Sequence, residues 1–149
     1  MLRKYLKEGL IAVTALGTAY FYLALIIFLL LLGLKTKALY LLVGLLICYF
    51  SVLTLRVFYF KERPEKEDYF NLFTRLNASS FPSLHTITSM YTATVLGTIV
   101  NITTITIFFY TIAVLIAFSR VYIKKHFWID VIVGWLIGAI VSGIYLYSM

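Results

Sequence analysis

Residues 86–119, TITSMYTATVLGTIVNITTITIFFYTIAVLIAFS, run for 34 positions without a charge. As a single helix they would extend about 51 Å, well beyond the ~30 Å hydrocarbon core of a bilayer. The stretch therefore predicts two short spans, with a break near Asn101-Ile102-Thr103-Thr104. Upstream, residues 9–34 hold 26 uncharged positions closed by Lys35 and Lys37, and 38–55 form a shorter apolar run ending at Arg56. Downstream, 127–147 supply one more run, with Asp130 near its start. The expected fold is an all-α polytopic membrane helix bundle, with residues 1–149 as one domain. Its spans are expected near 9–34, 38–55, 84–100, 103–119 and 127–147, about five in all, joined by a short interfacial helix.

Composition supports this class. Hydrophobic residues make up 62% of the chain and charged residues 13%, which excludes an ordinary soluble domain. The net charge of +7 would suggest nucleic acid in a polar protein. Here lysines and arginines flanking spans account for it, and no nucleic-acid partner is expected. The basic N-terminus precedes an apolar run too long for the core of a signal peptide, so it reads as a retained anchor. Cys48 is the single cysteine and excludes an intramolecular disulfide. The polar segment 56–80 carries four of the six acidic residues. Within it Tyr69, Phe70, Leu72, Phe73 and Leu76 follow helical spacing, as in a short helix lying on the interface as an anchor or beside a site.

The scarce polar residues are not scattered. Both histidines, both prolines and three of the five arginines fall in three clusters. These read Arg56-x6-Arg63-Pro64, Pro82-Ser83-Leu84-His85 and Ser119-Arg120-x5-His126-x3-Asp130. With a break near Asn101 all three meet at one membrane face; with 86–119 as one helix they would be split between two. A planar guanidinium donates paired hydrogen bonds to phosphate and stays charged, although each arginine alone also reads as a snorkelling helix-end residue. His126 and Asp130 lie one helical turn apart, so the carboxylate can hold one imidazole nitrogen and leave the other to attack. A carboxylate beside an apolar helix needs a partner, and His126, Arg120 or both are the obvious ones. Pro82-Ser83-Leu84-His85 opens a helix whose first N–H groups suit an anion, with His85 in reach as an acid. Together the parts suit phosphoryl transfer to a histidine.

The three clusters, in this order, resemble the type 2 phosphatidic acid phosphatase superfamily, whose pattern is K-x6-R-P, P-S-G-H and S-R-x5-H-x3-D. The resemblance covers 56–138 and extends to Asp130-x3-Gly134-x3-Gly138, where small residues let helices pack closely. It implies that His126 is the nucleophile forming a phosphohistidine, that Asp130 orients it, and that His85 is the acid for the leaving group and then the base for water. Arg56, Arg63, Ser83, the Leu84 backbone N–H and Arg120 would hold the phosphate. No cofactor and no metal are implied. Arg56 stands where the family has lysine, and Leu84 where it has glycine; the second is similar to the Phe-Pro-Ser-Leu-His variant of inositol phosphorylceramide synthases. About five spans stand where the family usually has six.

The implied activity is hydrolysis of a membrane lipid phosphate or diphosphate, such as phosphatidate, phosphatidylglycerophosphate or a polyprenyl (di)phosphate. The alternative is a lipid phosphotransferase passing the group to an alcohol, and a further one is a silent membrane scaffold. The Tyr20-Phe21-Tyr22 group reads as helix packing or the wall of a tail groove. The partners are the bilayer and its lipid; oligomeric state is not readable. Eleven basic residues fall on the site-bearing side against Lys35 and Lys37 on the other. The positive-inside rule therefore places the site on the cytoplasmic face, whereas characterised family members usually face away from it.

Overall fold

The structure, a computed structural model, describes residues 2–147, with side chains from Lys4 onward. The side chain of Arg3, one of the basic residues in the charge comparison, and positions 148–149 lie outside the described residues. The described chain is all-helical: α1 (Leu2–Ala15), α2 (Ala19–Leu31), α3 (Lys35–Phe58), α4 (Leu72–Ala78), α5 (Leu84–Val100), α6 (Thr103–Tyr122) and α7 (Trp128–Tyr147). Helices α3, α6 and α7 are each long and apolar enough to cross a membrane, and the bent pair α1 and α2 counts as a fourth if the two form one broken span.

The uncharged stretch 86–119 does break at Asn101. That residue ends α5 in the left-handed region at φ 52°, and its N–H still donates to Gly97 O. Asparagine tolerates this conformation better than most residues, which is why the turn falls there. Helix α5 has 17 residues and lies inside the bundle against α3, α6 and α7. Its face is small and hydroxylated. Thr88 donates to Leu84 O, Ser89 to Thr86 O and Thr94 to Met90 O, so these three hydroxyls are satisfied within the helix. The outer helices instead turn Phe50, Leu46, Leu136 and Ile140 outward, an apolar exterior matched to lipid.

Close packing depends on missing side chains. A Cβ on Gly138 would lie 2.7 Å from Ile87 O, and one on Gly134 3.0 Å from Ser83 O, so α7 rests on the backbone of α5. Gly44 of α3 leaves room for the Tyr91 ring, whose hydroxyl donates to Tyr40 O at 2.6 Å.

One expected span is corrected. Residues 9–34 are not a single helix: the chain bends by 48° between α1 and α2. Across Leu16-Gly17-Thr18 the N–H groups bond three residues back, and the Thr18 hydroxyl takes Ala15 O. The reason is tertiary, because Gly17 packs on His85 and Ile116 more closely than a side chain permits.

Candidate active site

Four helix ends converge. The end of α3 brings Arg56, the start of α5 brings Ser83 to His85, the end of α6 brings Arg120, and the approach to α7 brings His126 and Asp130. Arg63 arrives from the segment between α3 and α4. An open cleft is lined by Arg56, Arg63, Arg120, Leu84, His85 and His126. Six of the eight residues expected from the sequence thus share one cleft. Ser83 and Asp130 are fully buried behind it.

Two of the guanidiniums, those of Arg56 and Arg63, are anchored and still have a donor to spare. Arg56 donates to Leu76 O and Pro82 O at 3.0 and 3.1 Å, pinning the turn that precedes α5. Arg63 donates to Asn77 O at 2.6 Å and pairs with Glu67 at 2.5 Å. The Nε groups of Arg56, Arg63 and Arg120 are buried and meet no acceptor among the described residues. Buried N–H donors left unmatched are rare and costly, and three around one cleft describe an anion site.

At the start of α5, Ser83 N–H donates to Asp130 O at 3.0 Å and its hydroxyl accepts from Thr86 at 2.9 Å. Leu84 is the first helical residue, so its N–H has no acceptor within the helix. Ser119, beside Arg120 in the third cluster, turns away from the cleft. It bonds Thr14 of α1 at 2.5 Å and so ties α1 to α6.

The imidazole of His126 is held differently from the sequence expectation. Its Nδ1–H donates to Ser80 O at 2.6 Å, which leaves Nε2 with the lone pair. The nearest Asp130 oxygen is 4.0 Å from Nδ1, too far for a hydrogen bond. Asp130 instead receives Lys61 Nζ on Oδ1 at 2.5 Å and the Phe127 N–H on Oδ2 at 2.8 Å. Its carboxylate thereby caps the first turn of α7, favourably placed at the positive end of the helix dipole. The partner of Asp130 is therefore neither His126 nor Arg120. Burial first, then the charges of Arg120 and Arg63, push the His126 imidazole far below its ordinary 6.5, to about 2. It stays neutral, as a nucleophile must.

Sequence reasoning missed Lys61, Ser80, Glu67 and Gly17. Glu67 lines the cleft mouth and bridges Arg63 to Lys125, 2.7 Å from the lysine. Burial alone would raise its carboxyl, but Lys125 and Arg63 together hold it below the usual range. Gly17 faces the imidazole of His85, where a Cβ would lie 2.9 Å from Cδ2. Lys61 and Glu67 stood among other charges of the polar segment, with no spacing rule to mark them.

A second, apolar pocket, half open to the surroundings, is lined by Leu16, Phe21, Tyr22, Ser89 and Ile116, among others. Ser89 lies one turn along α5 from His85.

The profile of the PAP2 superfamily matches residues 37–149. Among solved structures the chain is similar to the crystal structure of Aquifex aeolicus LpxE. The identity is 32% and the TM-score 0.81, over 96% of this chain and 86% of that one. It is also similar to the first transmembrane PAP2 type phosphatidylglycerolphosphate phosphatase from Bacillus subtilis. There the identity is 22% and the TM-score 0.80, over 95% of this chain and 75% of that one, a likeness of fold. A comparison with curated proteins gives no match. By the extent of the family match and the identity to LpxE, the chain belongs to the PAP2 superfamily.

Proposed function

We propose that the chain is an integral-membrane lipid phosphatase that hydrolyses a phosphate or diphosphate monoester through a phosphohistidine, without a metal. The observation that carries this reading is the ring of three unmatched buried guanidinium donors around both histidines. In the first step Nε2 of His126 attacks phosphorus, the bond to the lipid oxygen breaks, and His85 gives that oxygen its proton. In the second, His85 takes a proton from water, the hydroxide attacks phosphorus, and the P–N bond breaks to release phosphate. Arg56, Arg63 and Arg120 neutralise the charge on the equatorial oxygens in both steps, the Leu84 N–H adds a donor, and Ser83, buried behind the cleft, supports that turn. The apolar cavity beside His85, bounded by Phe21 and Tyr22, suits a hydrocarbon tail entering between helices.

Phosphatidate, phosphatidylglycerophosphate and polyprenyl (di)phosphates fit this division into anionic cleft and apolar cavity. The test is turnover of such a panel by purified protein, in chelator, with and without acceptor alcohols. Phosphate release that disappears in His126→Ala supports the reading. A product that forms only with acceptor replaces it with a transferase, and equal inactivity of wild type and mutant leaves a scaffold.

The charge asymmetry supports a cytoplasmic site. A cysteine in place of Lys66, in a Cys48→Ala background, should react with an impermeant reagent only in opened cells. Reaction in intact cells would place the site outside.

A further inference from the structure

Asp130 is completely buried, yet its charge is met by a residue at one of the six unspecified positions between Arg56 and Arg63. Lys61 Nζ lies 2.5 Å from Asp130 Oδ1 and 4.5 Å from the centre of the Phe127 ring. The other carboxylate oxygen accepts the N–H of Phe127, the residue next to His126. This side-chain path sets where the chain enters α7, and with it where the imidazole stands.

The main chain of the same lysine supports the second path. Lys61 O accepts the Ser80 N–H at 2.8 Å, and Lys61 N–H donates to Ser79 Oγ at 3.3 Å. Ser80 O is the acceptor for Nδ1–H of His126. One residue thus meets the nucleophilic histidine from both sides, through Asp130 and through Ser80. Lys61 does not line the cleft that Arg56, Arg63 and Arg120 share, so its ammonium is turned to the carboxylate rather than to phosphate.

We propose that Lys61 is a positioning residue of the phosphoryl-transfer site, holding Asp130 by its ammonium and Ser80 by its carbonyl so that His126 presents Nε2 to phosphorus. This deepens the phosphohistidine reading and rests on it. The pair also gives Asp130 a role as the buried anchor that Lys61 neutralises, and its effect on His126 passes through the Phe127 backbone. Removing the ammonium leaves an uncompensated buried carboxylate. Removing both charges relieves that burden while the Ser80 path remains.

The test compares Lys61→Met, Lys61→Arg and Lys61→Met/Asp130→Asn with wild type, as full chains in detergent acting on phosphatidate. A misplacement of about 1 Å costs about a hundredfold, so Lys61→Met should lose kcat on that order with KM within about threefold. Lys61→Arg should stay within about tenfold of wild type, and the double variant should be no worse than Lys61→Met, because the two sites act as a coupled pair. Unchanged kcat in Lys61→Met, a change in KM alone, no rescue by arginine, or losses that multiply in the double variant would each overturn the proposal. A readout independent of turnover uses ¹⁵N-histidine spectra in a His85→Asn background, where His126 is the single histidine. Wild-type Lys61 and Lys61→Arg should give the Nδ1–H tautomer, and Lys61→Met a mixture. If His126→Ala turns over normally, the phosphohistidine reading fails; if the tautomer ignores Lys61→Met, the positioning role fails.

Discussion

Replacing Gly138 by alanine adds a single methyl group at the point where α7 rests on α5. That methyl would sit 2.7 Å from Ile87 O and 2.9 Å from Met90 Cβ, whereas ordinary contact begins at 3.4 Å. A side-chain tip could swing aside, but a helix carbonyl cannot move without disturbing its own ladder. The two helices must therefore part by about 0.7 Å at that level. Overpacking of this kind costs about 1–3 kcal/mol. Alanine also favours a helix over glycine, by up to about 1 kcal/mol, and this must be removed from the comparison. Gly143, on the same helix, provides the control, because a Cβ there meets nothing within 4 Å. The difference between Gly138→Ala and Gly143→Ala isolates the contact. It should appear as a lower melting temperature in detergent, on the order of 5 °C. Since α5 carries His85 and α7 carries Asp130, kcat on a lipid phosphate should also fall, by about ten- to a hundredfold. Equal melting temperatures and equal kcat for the two variants would refute the claim that backbone contact between α5 and α7 sets the site.

Three further outcomes follow from the site itself. Gly17→Val should push His85 from the cleft and lower kcat at least about tenfold, while binding of inorganic phosphate stays near wild type; normal kcat would mean that the bend does not press on the imidazole. Glu67→Gln removes the carboxylate that occupies Arg63 and Lys125, so inorganic phosphate should inhibit more strongly; weaker inhibition would contradict this. His126 has a depressed folded pKa, so below 6.5 the unfolded chain binds the proton that the folded chain refuses. Stability should therefore fall as pH drops from about 6.5 towards 5, and His126→Asn should flatten that slope; a slope identical in the variant would locate the titration elsewhere.

What the sequence determined by itself was everything that depends on short range. The uncharged run 86–119 is too long for one crossing, and a break at Asn101 follows from the residue most at ease in a left-handed turn. The spacing inside the clusters was legible as well, but the expectation that His126 and Asp130 share one helical face was not met: His126 stands just before α7, which begins at Trp128. The glycines at 134 and 138 were legible as a packing face from helical periodicity. Only the tertiary structure decided who holds what. Lys61 reaches Asp130 across 69 positions, and Ser80 reaches His126 across 46. The second acceptor is a backbone carbonyl, a group that every residue carries and no pattern can mark. The packing at the Gly17 bend was equally hidden, because the imidazole of His85 that lies against it comes from 68 positions away. Periodicity belongs to one helix at a time. The pairing of buried charges and carbonyls is settled only when helices distant in sequence share the same few ångströms.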